Sequence, residues 1–182
     1  TKTMLAIALT IQGDFTTSGT ASVTAAEGIT VNGNTSIETG STFTTGNFNH
    51  LLAGDFENNG TFTGTSSGII TFNGAIAQTI LGTSTTSFDN LTIDNVLNVT
   101  QASNVNVNNV LLLNGGNLIV GNATLGINGT ISNPSGAIEV SALSNLSFGG
   151  TTALTINNNL FTSAPSINNL TINRSGGVTL GN

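Results

Sequence analysis

The sequence predicts an all-β chain wound as a right-handed parallel β-helix, a β-solenoid, and three observations lead there. Apolar residues recur at nearly equal intervals along the whole length, apolar and polar residues alternate within short segments, and Gly and Asn mark a corner after about every five to eight residues.

The recurrence comes first, because a fixed period changes the reading of every local segment. One apolar ladder runs through Val23, Phe43, Phe62, Ile80, Val99, Ile119, Ile138, Ile156 and Val178, with steps of 20, 19, 18, 19, 20, 19, 18 and 22 residues. A second, looser ladder runs through Val31, Leu52, Phe72, Leu91, Val107, Ile127, Phe148 and Leu170 with steps of 16 to 22. The order of step lengths in the first ladder repeats, so the spacing predicts coils of about 19 residues grouped in fours. Direct similarity points the same way. Ser22-Val23-Thr24 matches Asn98-Val99-Thr100 and Phe72-Asn73-Gly74 matches Phe148-Gly149-Gly150 at an offset of 76, and Leu91-Thr92-Ile93 matches Leu170-Thr171-Ile172 at 79. On this basis residues 1–22 end a preceding unit, 23–98 and 99–177 form two four-coil units, and 178–182 begin a third. About nine coils at ~4.8 Å each would make a rod on the order of 43 Å long, and both ends fall inside units, as expected of a segment of a longer protein.

The elements within a coil follow from alternation. Leu91-Thr92-Ile93-Asp94 and Asn104-Val105-Asn106-Val107-Asn108 have the period-two pattern of half-buried strands, and helical spacing is sustained nowhere. Asn32-Gly33, Asn73-Gly74, Asn114-Gly115-Gly116 and Asn128-Gly129 supply corners, where Gly and Asn tolerate positive φ. Hairpins of a barrel would impose no equal coil length, whereas a solenoid stacks each position above its counterpart. Asn at successive coils has two readings, a hydrogen-bonded amide ladder or simply a favoured turn residue.

Composition narrows the function. Charged residues make up 5% of the chain, against about 25% in an average soluble domain, so uncharged polar side chains carry its solubility. With 2 Lys+Arg against 8 Asp+Glu and a net charge of −6, no basic surface exists to neutralise phosphates, and nucleic acid is an unsuitable partner. The absence of Cys removes disulfides and thiolate chemistry. Met4–Leu9 is too short to span a bilayer and is followed by Gln12-Gly13-Asp14 rather than a cleavage site, so it predicts a strand and no membrane insertion.

Parallel β-helices can house carbohydrate-cleaving sites, which need clustered carboxylates and usually a nearby base. Here Asp14, Glu27, Glu38, Asp55, Glu57, Asp89, Asp94 and Glu139 are spread along the chain, and the strong bases are Lys2 and Arg174 near its ends. Asp55 and Glu57 are spaced to share a strand face, and Asp14 is the positional partner of Asp55. His50 has no Cys or second His beside it and is expected at the surface or a corner. Gly115-Gly116, Gly149-Gly150 and Gly176-Gly177 lack the Asp residues of a calcium-binding β-roll. Thr42-Phe43-Thr44 and Thr61-Phe62-Thr63 form paired threonines of the kind an ice-binding surface uses. The 19-residue spacing makes the next equivalents Thr79 and Leu81, then Asn98 and Thr100, so the array is expected to stop after two coils. No catalytic, cofactor-binding or metal-binding residue is expected, and no enzyme.

The run Gly54-Asp55-Phe56-Glu57-Asn58-Asn59-Gly60-Thr61-Phe62, followed by Ile70-Thr71-Phe72-Asn73-Gly74 and Phe88-Asp89-Asn90-Leu91-Thr92-Ile93, resembles repeats of large Bacteroidota surface proteins. Ser166-Ile167-Asn168-Asn169-Leu170-Thr171-Ile172 and Gly177-Val178-Thr179-Leu180 continue the pattern. The resemblance implies very long proteins exported by type IX secretion that act as adhesins, stalks or surface filaments, some used in gliding. The expected role is thus an extracellular structural or adhesive segment at the cell surface. Its expected partners are extracellular surfaces or glycans, itself, or envelope and secretion components, and its expected cofactor complement is none. The alternatives are a glycan-binding face and a self-assembling filament subunit.

Overall fold

The computed structural model describes residues 2–162 and 165–181; Thr1, Ser163, Ala164 and Asn182, which fall in three of the expected units, lie outside the described residues. None of the described residues is helical. The chain is a parallel β-solenoid of about nine turns, about 20 residues apart.

Coils one to four and coil seven each make three strands, and the strands of successive coils stack on three faces. The first face begins with β1 (Lys2–Thr3), β4 (Ser22–Thr24), β7 (Thr42–Thr44) and β10 (Thr61–Thr63). The second begins with β2 (Leu9–Ile11), β5 (Ile29–Val31), β8 (Asn49–Leu52) and β11 (Ile69–Phe72). The third carries β3 (Phe15–Thr17), β6 (Thr35–Ile37), β9 (Phe56–Asn58), β12 (Gln78–Leu81), β14 (Val99–Gln101), β16 (Leu118–Val120) and β19 (Ile138–Glu139). On the first face of coils three and four the middle residue points inward and its neighbours outward, as in Thr42-Phe43-Thr44. On the other two faces it is commonly the outer residues that point inward, as in Ile29-Thr30-Val31.

In coils five and six the first two faces are joined in single strands, β13 (Thr86–Asp94) and β15 (Val105–Gly115). Their pairing shifts between Phe88 and Asn90, where β15 contributes one extra residue, so the chain passes between faces through an irregularity in pairing rather than a loop. β17 (Thr124–Ile127) stacks on the first half of β15 and β18 (Thr130–Ser132) on the second, which restores separate faces. β20 (Asn145–Phe148) and β22 (Asn169–Ile172) extend the first face, and β21 (Leu154–Ile156) pairs with β23 (Val178–Leu180).

The strand registers revise the ladders drawn from spacing. Val23, Phe43 and Phe62 do stack on the first face. Ile80, Val99, Ile119 and Ile138 belong to the third face, and Ile156 and Val178 to β21 and β23. The 18-residue step from Phe62 to Ile80 therefore crosses faces within one coil. The 76-residue similarity likewise relates Val23 on the first face to Val99 on the third. Every face is built from similar short apolar-polar alternations, so spacing alone does not distinguish one from another. By register, coils advance 20 residues at Leu9 and Ile29, 21 at Thr35 and Phe56, and 24 at Phe56 and Ile80.

One continuous core runs through the rod. Its earlier coils are aromatic. Phe15 meets Phe43 edge-on with ring centroids 5.1 Å apart, Phe62 meets Phe88 at 5.3 Å, and Phe56 touches Phe62, Phe72 and Phe88 at 5.4, 6.3 and 5.7 Å. Edge-to-face contact of this kind adds to area burial. Coils six and seven are aliphatic, with Val105, Val107, Leu111, Leu113, Leu118, Val120, Leu125 and Ile127 buried.

Candidate functional site

Titratable and polar side chains are the natural starting point for chemistry, and the structure ties most of them to the backbone. His50 sits on β8, whose residues alternate outward and inward, and it points into the core. Its Nδ1 accepts the Ile29 N–H at 3.3 Å, and its Nε2 donates to the Thr45 carbonyl at 2.8 Å. These partners select the neutral ring protonated on Nε2. Burial lowers its pKa below the ordinary histidine value, partly opposed by the Thr45 carbonyl. The expected surface or corner position is corrected: two backbone partners satisfy both ring nitrogens and make an interior histidine tolerable.

Two carboxylates, Asp14 and Asp55, tie the corners of successive coils together. Asp14 Oδ1 accepts the Asn34 N–H at 2.7 Å, Asn34 Oδ1 accepts the Asp55 N–H at 2.9 Å, and Asp55 Oδ1 accepts the Thr79 N–H at 2.7 Å. Asp14 and Asp55 are thus positional partners, one column apart by two coils with Asn34 between them. Asp55 is a corner residue, while Glu57 lies on the outward side of β9 and accepts from Asn59 Nδ2 at 2.7 Å. Asp94 accepts from Asn114 Nδ2 at 2.9 Å. Among the described residues no three His, Cys, Asp or Glu side chains come together as a metal cluster, and no helix is long and apolar enough to cross a membrane.

Asparagine realises the ladder reading. Asn32 donates to Gln12, Asn109 to Asn90, Asn114 to Asp94, Asn128 to Asn108, and Asn168 and Asn169 to Asn145, at 2.8 to 3.1 Å. In each case the amide of the later coil donates to the oxygen of the earlier one, so these ladders share one polarity. Corner asparagines also cap the next coil's backbone: Asn98 Oδ1, at a residue with φ of 73°, accepts the Asn117 N–H, and Asn117 Oδ1 accepts the Ala137 N–H.

Two interior devices have no sequence signature. Gln78 and Asn95 lock the corner between the second and third faces. Gln78 Nε2 donates to the Leu52 and Gly54 carbonyls, while its Oε1 accepts from the Gly74 N–H and Asn95 Nδ2. Asn95 also donates to the Ile76 carbonyl and accepts the Leu97 N–H. Arg174 is buried, and its guanidinium donates to the carbonyls of Asn128, Gly129, Gly149 and Thr152 and to Thr152 Oγ1. One side chain in coil nine therefore holds corners of coils seven and eight. A lone Arg among polar residues reads as a surface charge, and only the stacking of corners reveals its partners.

The remaining surface feature is the outward side of the first face. Register places Ser22, Thr42 and Thr61 in one column and Thr3, Thr24, Thr44 and Thr63 in a second. The expected equivalents Thr79 and Leu81 lie on the third face instead. The threonine array therefore extends backward to Ser22 and Thr24 rather than ending after two coils.

No family model, curated protein or solved structure matches the chain.

Proposed function

We propose that this chain is a rigid structural or adhesive segment of a long, secreted bacterial cell-surface protein, a stalk that carries other parts of the molecule away from the envelope. The observation that supports it best is the propagation of one coil geometry: backbone pairing, buried core and same-polarity corner ladders repeat from coil to coil. Such a structure gains length by addition without changing its cross-section. The low charge and the commitment of side-chain chemistry to internal corners suit a spacer. The resemblance of the Gly-Asp-Phe and Leu-Thr-Ile segments to Bacteroidota surface repeats motivates the corollaries of type IX export and a role in adhesion or gliding.

The reading is tested on chains carrying one, two and three tandem copies. Electron microscopy or small-angle X-ray scattering should show length rising linearly at about 4.8 Å per coil with constant cross-section. Compact particles whose cross-section grows with copy number would sink it. The parent protein should also appear on cells as a thin projection, and its confinement inside the envelope would count equally against the proposal.

A further inference from the structure

We propose that the first face of coils two to four is an ice-binding surface, with Ser22, Thr24, Thr42, Thr44, Thr61 and Thr63 as its contact residues. The inference is independent of the rod's reach and of any receptor.

Four features support it. The six side chains form two straight columns on three consecutive strands whose pairing contains no bulge. Neighbouring hydroxyls are thus about 4.8 Å apart across strands and about 6.7 Å apart along a strand. These repeats lie close to the oxygen spacings on the prism face of hexagonal ice. Second, none of the six hydroxyls has a side-chain hydrogen bond within the molecule among the described residues. Asparagines elsewhere spend their amides on neighbouring coils. The threonine face leaves its donors and acceptors to solvent.

Third, the array is stiff. Threonine has restricted χ1, and Phe43 and Phe62 are buried directly behind it with their rings 6.3 Å apart. Phe15 supports Phe43, and Phe56 and Phe88 support Phe62. A lattice bound to such a face orders few protein rotamers, which keeps the entropy cost low. Fourth, the three strands carry no charge; Glu27 and Glu38 stand at corners beyond them. A strongly hydrated charge would impose its own water orientation on the surface. Flatness argues against a sugar as the first choice, since small-ligand sites are concave, and no aromatic side chain projects from this face to stack on a pyranose ring.

The test uses the full chain. Thermal hysteresis and ice-recrystallisation inhibition should be present for the wild type and abolished by Thr42→Lys combined with Thr61→Lys. The melting temperature followed by circular dichroism should show that this variant remains folded. Thr30→Lys with Thr71→Lys, on the outward side of the second face, should retain both activities. Thr42→Val with Thr61→Val, which keeps the shape but removes two hydroxyls, covers the case in which the lysine variant unfolds and should reduce hysteresis. A wild-type chain without crystal shaping or hysteresis overturns the proposal, as does equal loss from the second-face control. A glycan-array signal removed by the first-face variant, without ice activity, reassigns the face to carbohydrate.

Discussion

Coils three to five and coils seven to nine are fastened by different means. In the former, Phe43, Phe56, Phe62, Phe72 and Phe88 interlock edge to face or tilted, so cohesion is shared among many contacts, most between adjacent coils and one, Phe56 to Phe88, from coil three to coil five. In the latter, one guanidinium spans three coils, reaching from Arg174 back to the carbonyls of Asn128 and Gly129. Solenoid stability is ordinarily a sum of intrinsic and nearest-neighbour terms. Arg174 adds a next-nearest-neighbour term. The aromatic region, whose cohesion is divided among many contacts, should loosen locally, while the Arg174 region, which depends on one side chain, should open as a block.

The sharpest way to break this comparison is Phe56→Ala. Phe56 is buried at the crossing of three other rings, and its loss should cost about 3–5 kcal/mol, read as a lowered midpoint in denaturant unfolding with local loss of amide protection around coils three to five. Next comes Arg174→Met, which leaves several corner carbonyls without their donors and should cost about 2–3 kcal/mol. Hydrogen exchange should then rise across coils seven to nine together and leave coils two to five unchanged. A change confined to coil nine would remove the block-opening idea.

Gln78→Leu orphans the Gly74 N–H and the Gly54 carbonyl, while the Leu52 carbonyl keeps the Asn73 N–H, and should cost about 1–3 kcal/mol, with exchange increased at the corner bearing Ile76 and Leu97. His50 adds a pH dependence to the aromatic region. Because burial depresses its folded-state pKa, the unfolded chain binds the proton more readily. Its contribution to stability is full above about pH 6.5 and declines as the pH falls from there toward the folded-state value. Urea titrations in that window should show the slope in the wild type and lose it in His50→Leu. The smallest effect belongs to the exposed Asn109→Ala, expected within about 0.5 kcal/mol, because the Asn109–Asn90 link competes with water.

Much of the fold was legible because alternation and recurrence are written directly in residue order. Leu91-Thr92-Ile93 reads as a strand and is one, and of the expected corner Asn114-Gly115-Gly116 the chain turns at Gly116, with Asn114 and Gly115 still in β15. The assignment of strands to faces was not legible. Val23 and Val99 have similar neighbours, and only the number of residues consumed by each corner places them on different faces. The threonine array does end forward at Thr61 and Thr63, where the four-strand ladder closes, and its extension back to Ser22 and Thr24 lies on the part of the first ladder, Val23 to Phe62, that spacing placed correctly. His50 was misplaced because a histidine's burial depends on distant backbone partners, here Ile29 and Thr45.

The sequence by itself determined that this chain forms short parallel strands, coils of about 19 residues where the structure has about 20, corners rich in Gly and Asn, and a nearly uncharged surface, since each follows from side-chain periodicity and composition. Only the tertiary structure decided the three faces, the shared ladder polarity, the carbonyls gathered around Arg174, and the straight columns of hydroxyls on the first face. Those depend on register between coils, and register is set by backbone pairing and corner length acting over about 20 residues, a distance at which local pattern carries no information about who stands above whom.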